Sequence, residues 1–109
     1  MPLTTSFKER VLHRARTDPE FVTHMLDESI QAFLNGEIDV GKSLLRDCIN
    51  ATVGFSELAE KTGIPDKSLQ RMVGKNGNPQ GDNLFKVIAA LLEYNNASLG
   101  VVAAANRAA

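Results

Sequence analysis

Lys67, Ser68, Gln70 and Arg71 fall within five consecutive positions of the stretch "ELAEKTGIPDKSLQRMV", Glu57 to Val73. All four side chains donate hydrogen bonds, and no acid lies among them. A guanidinium such as that of Arg71 can fork onto the O6 and N7 of guanine, and the amide of Gln70 can pair twice with adenine. Lys67 and Ser68 can serve bases or phosphates, because helix rotation in a groove assigns those roles. The competing reading is a solvated polar face on a plain helical hairpin.

Other chemistries find no constellation. His13 and His24 are expected on separate helices and have no Cys or carboxylate at ligand spacing, so no metal is expected. Asp27, Glu28 and Asp47 each fall on the polar side of an amphipathic pattern, which a solvated helix face explains. There is no Ser-His-Asp order and no Gly-rich phosphate loop. Neither catalysis nor a cofactor is expected.

The donor set needs a platform, and the residues before it supply one. Leu58, Ala59 and Thr62 make a short helix, with Ala59 small enough for another helix to approach closely. Gly63 can take the positive φ of a tight turn. Ile64 plugs the inside of the bend. Pro65 lacks the amide that a helix start leaves unused, and Asp66 places negative charge at the positive end of the next helix. Leu69, Met72 and Val73 then face inward, leaving Lys67, Ser68, Gln70 and Arg71 outward. Two helices joined by so short a turn fit the helix-turn-helix plan, in which a supporting helix carries a second one into the major groove.

The rest of the chain also reads as helices. Ser6 and Glu9 spell a capping box for a first helix over about 7–16, with Phe7, Val11 and Ala15 at helical spacing and Lys8, Arg10, Arg14 and Arg16 on the polar side. Asp18-Pro19 restarts a helix over 19–34, whose stripe is Phe21, Val22, Met25, Leu26, Ile30, Phe33 and Leu34. Asn35-Gly36 closes it. A third helix over about 39–52 turns Val40, Leu44, Leu45, Cys48 and Ile49 inward and ends at Gly54. The last, Asp82 to about Tyr94, carries Leu84, Val87, Ile88, Leu91 and Leu92, either as core or as a dimer seam. Asn95-Asn96 and Gly100 interrupt the pattern, Leu99, Val101 and Val102 could meet a second copy, and 103–109 reads as frayed.

With 109 residues, 43% of them hydrophobic, the chain fits one small domain. No apolar run reaches the roughly 18 residues of a membrane span, and no secretory leader is present, so a cytoplasmic location is expected. The lone Cys48 sits among Leu44, Leu45 and Ile49 and reads as a small buried hydrophobe. Net charge is −1. Residues 1–53 carry six Lys/Arg against eight Asp/Glu, and residues 54–86 carry five against four. That excess permits nucleic-acid binding without arguing for it.

The stretch "GFSELAEKTGIPDKSLQRMVGKNGNPQGDNLFKVIAALL", Gly54 to Leu92, resembles the lambda-repressor-like (Cro-like) helix-turn-helix proteins, and among them the putative addiction-module antidote (antitoxin) proteins. The likeness lies in "ELAEKTGI", "KSLQRM", "GNP" at Gly77-Asn78-Pro79 and "DNLFKVIAAL". The upstream segment from Asp18 is similar to the amino-terminal part of a subgroup of these bacterial regulators. The resemblance implies an all-α DNA-binding domain of about five helices, with residues 1–53 as an amino-terminal helical segment, 54–94 as the helix-turn-helix core and 95–109 as a tail. It implies a recognition helix bearing Asp66, Lys67, Ser68, Gln70 and Arg71, and a following loop whose Lys75, Asn76 and Asn78 lie along phosphates. Two departures matter: relatives often carry Ser or Thr at the place of Pro65, and a polar residue at that of Phe55. Phe55 cannot make a side-chain phosphate clamp and is free to pack on the amino-terminal helices. Asp66 faces the expected phosphate side. The implied function is a transcriptional repressor, free-standing or the antitoxin of a toxin-antitoxin pair. The implied partners are duplex DNA, a second copy of the chain and, for an antitoxin, a toxin protein. The alternative is a module that holds a protein partner without binding DNA.

Overall fold

The computed structural model describes residues 6–106, and every regular element among them is a helix. In chain order these are α1 (Phe7–Thr17), α2 (Pro19–Leu34), α3 (Ile38–Ala51), α4 (Phe55–Thr62), α5 (Asp66–Met72) and α6 (Gly81–Tyr94). Helix α2 packs along α3, α1 lies against both, and α4 touches α3, α5 and α6.

Local chemistry sets the boundaries. Ser6 Oγ accepts the Glu9 amide at 3.1 Å and starts α1. Asp18 Oδ1 accepts the amides of Glu20 at 3.1 Å and Phe21 at 3.4 Å, and Pro19 opens α2. After α2 the amides of Gly36 and Glu37 turn back onto the carbonyls of Phe33 and Ala32, at 3.1 and 2.9 Å. After α6 those of Asn96 and Ala97 do the same to Glu93 and Leu92, at 3.1 and 2.8 Å. Each pair satisfies carbonyls that a helix end would otherwise leave bare.

A single apolar cluster runs through five of the helices. Val22, Leu26 and Ile30 of α2 meet Leu45, Cys48 and Ile49 of α3, and the cluster continues through Leu58, Leu69, Val87 and Leu91. Segments 19–53 and 54–94 therefore share one interior. The stripe predicted for α6 serves that interior, with Val87, Ile88 and Leu91 buried and Leu84 and Leu92 packed against it.

Three inward assignments need correction. Val40 is 49% exposed, because the face of α3 that meets α2 carries Gly41 instead. The ring of Phe33 lies over Gly41 so closely that a Cβ there would stand 2.8 Å from it, and Ser29 Oγ donates to the Gly41 carbonyl at 2.9 Å. Leu34 is exposed, being on the final turn of α2 where the chain leaves for α3. Phe7 is also exposed, at 72%. The side chains of Val11, Ala15, Lys8 and Arg16 lie outside the described residues. Beyond α6, Leu99 packs on the core while Val101 and Val102 are exposed. Positions 107–109 of the predicted frayed end are also outside the described residues.

Candidate nucleic-acid interface

The bend between α4 and α5 is built from three interactions. Gly63 ends α4 in the left-handed region, φ +75°, and donates its amide to Ala59 at 2.9 Å. Thr62 Oγ1 donates to the Leu58 carbonyl at 2.8 Å and accepts the Ile64 amide at 3.2 Å. Ile64 is buried in the bend. Pro65 stands one place earlier than the sequence reading put it: it is the residue before the first turn of α5, and Asp66 is the first helical residue.

Helix α5 is two-faced. Leu69 and Met72 are buried, while Lys67, Gln70 and Arg71 are exposed and Ser68 is half-buried. Asp66 does not stand free toward solvent. Its Oδ2 accepts Ser56 Oγ at 3.3 Å, and its Oδ1 accepts the Gln70 side-chain amide one turn later. The carboxylate thus ties the first turn of α4 to α5 and holds Gln70 in one orientation, leaving the Gln70 carbonyl and its second N–H for other partners. Phe55, at the start of α4, packs against the core.

The loop after α5 folds back on the helix it leaves. The Gly74 amide donates to Arg71 and the Gly77 amide to Gly74, both at 3.1 Å. A Cβ on Gly77 would fall 1.6 Å from the Arg71 carbonyl oxygen, so no other residue fits this path. Lys75, Asn76 and Asn78 are exposed along it.

Beneath the loop lies a residue that the sequence reading passed over. Lys42 of α3 is 5% exposed, and its Nζ donates to the carbonyls of Gly77 at 2.7 Å and Lys75 at 3.3 Å, with Asp39 Oδ1 at 3.5 Å. A buried ammonium with its hydrogens so satisfied is a strut between α3 and the loop. The available signal was its place on the stripe of Leu45 and Ile49, three and seven positions on.

Four of the expected donors lie in two clefts. Ser68, Arg71 and Asn78 line one of about 180 Å³ together with Met72, Gln80 and Asn83. Gln80 and Asn83 also escaped the sequence reading, since their nearness to Arg71 depends on the loop's path. Lys75 lines a different cleft, with α3, and Asn76 lines neither. Among the described residues, no three His, Cys, Asp or Glu side chains are placed to hold a metal ion. No described helix is long and apolar enough to cross a membrane. Comparison with protein-family models, with curated proteins and with solved structures finds no match to the chain.

Proposed function

We propose that the chain is a sequence-specific DNA-binding repressor of the helix-turn-helix type, with α4 as the supporting helix and α5 as the helix that enters the major groove. The observation that carries this reading is the division of α5: Leu69 and Met72 anchor it, and Lys67, Gln70 and Arg71 project outward uncovered. Arg71 and Gln70 are the base readers, by the bidentate pairing their planar ends allow. Lys67, Ser68 and the loop residues Lys75, Asn76 and Asn78 take phosphates. Asp66 orients Gln70 instead of repelling the backbone.

The lambda-repressor-like architecture, a homodimeric state and the antitoxin role belong to the same proposal. A single small domain seldom binds tightly and specifically, and a dimer would read two half-sites about 34–36 Å apart. A binding selection on random duplex DNA with the purified protein tests the reading and its symmetry together. Recovery of a two-fold repeat with half-sites one helical turn apart is the expected result. Recovery of unselected sequence at low salt, with α5 variants behaving as wild type, would overturn it.

A further inference from the structure

Between the first half of α3 and the start of the loop after α5 lies a cleft of about 280 Å³, lined by Asp39, Lys42, Ser43, Arg46, Val73, Gly74 and Lys75. Three of these residues are cationic and one is acidic, in a chain whose formal net charge is −1. The acid is already engaged by Lys42, whose Nζ lies 3.5 Å from Asp39 Oδ1. Lys42 is in turn spent on the loop carbonyls. Arg46 and Lys75 are thus the cations left to act on a ligand.

Arg46 has a further peculiarity. Among the described residues, its Nε is the one buried side-chain nitrogen or oxygen without a hydrogen-bond partner. Burying a donor without an acceptor is unfavourable, and such groups in folded proteins call for an explanation. The Arg46 side chain is half-buried and lines the cleft, so a turn about its side-chain torsions would bring the Nε edge to an anion held there. That edge presents two parallel N–H groups, the geometry that matches two oxygens of one phosphoryl group. Ser43 adds a hydroxyl donor to the lining, and Lys75 lines the cleft from the loop side.

We infer that this cleft is a phosphoryl-binding site in which Arg46 and Lys75 hold the anion, Ser43 donates to it, and Lys42 fixes the wall that carries Lys75. The site does not require α5 to read bases. Its occupant is either a backbone phosphate of duplex DNA, which would extend the interface onto α3, or the phosphate of a small free molecule.

Arg46→Gln and Lys75→Gln, each first checked for an unchanged helical spectrum, separate the two sources. Lys61→Gln, which removes an exposed cation outside the cleft, controls for general charge. If the occupant is DNA, each cleft variant flattens the plot of log binding constant against log salt by about 0.9 per lost phosphate contact. The control then keeps the wild-type slope. If the occupant is a free phosphate, inorganic phosphate raises the thermal midpoint of wild type and of Lys61→Gln above a chloride series of matched ionic strength. Neither cleft variant then responds. A wild type that binds DNA with the same slope as both cleft variants, and gains nothing from phosphate over chloride, overturns the site and with it the phosphate contact given to Lys75, while leaving base reading by α5 intact. A wild type that binds neither DNA nor phosphate overturns both.

Discussion

At the scale of single residues, Arg71 and Cys48 make opposite demands. Arg71 is exposed with its five donors free to choose partners, and its worth lies in which partner it finds. Arg71→Ala should relax preference at one base position by about 1–3 kcal/mol if the guanidinium reads guanine, measured by binding to a panel of single-site DNA variants. A uniform loss across the panel would reassign Arg71 to phosphate. Cys48 has no choice to make. It is fully buried, and burial, with a smaller push from the charge of Asp47, moves its thiol from 9.0 up to about 12. The unfolded chain therefore releases this proton near pH 9 while the folded chain keeps it, so between pH 9 and 12 folding stability falls as pH rises. Cys48→Ala should flatten that alkaline decline by up to about 1.4 kcal/mol per pH unit, read from urea unfolding at pH 8 to 10.5. An identical decline in both proteins would show that other groups govern it.

At the scale of elements, the turn and the loop around α5 decide its angle. Gly63→Val places a β-branched side chain at φ +75°, a conformation that disfavours any Cβ and a branched one most. A loss of about 1–3 kcal/mol is expected in chemical denaturation. A variant as stable as wild type would mean that the chain turns differently. This bend was legible in the sequence because Gly63, Ile64 and Pro65 are local signals, as were the starts at Ser6 and Asp18 and the stops at Gly36 and Asn96. The inner face of α6, and that of α2 up to Phe33, followed from spacing alone. Val40 was misplaced because helical spacing fixes a stripe only to within about one residue. The ring of Phe33 chose Gly41 for the contact. Lys42 escaped notice because a lysine on a helix ordinarily keeps its ammonium in water. Its burial is explained only by the carbonyls that a loop 33 and 35 positions downstream brings to it.

At the scale of the whole molecule, a near-neutral total charge makes the distribution of charge the operative quantity. If α5 and its loop contact DNA as proposed, the logarithm of affinity should fall linearly with the logarithm of salt, by about 0.9 for each phosphate neutralised. Sedimentation on and off DNA would report whether one copy or two are bound. Affinity indifferent to salt would favour the alternative, a module whose exposed apolar side chains hold a protein partner.

The interior shared by α2 through α6 has a consequence for dividing the chain. A fragment beginning at Gly54 would keep α4, α5 and α6 but lose Leu26, Leu45, Cys48 and Ile49, the neighbours in the cluster of Leu58, Leu69 and Leu91. Each fully buried aliphatic contributes about 1.5–3 kcal/mol, against a total stability of about 5–15 kcal/mol for a small domain. Residues 54–94 alone should therefore give a largely unfolded circular-dichroism spectrum, regained on mixing with a peptide spanning 19–53 if the two halves reassociate. A cooperatively melting fragment would disprove this. Helices α2 and α3 are thus not an arm that recombination could shed or exchange: whatever the exposed face of α5 does, it is inherited together with them.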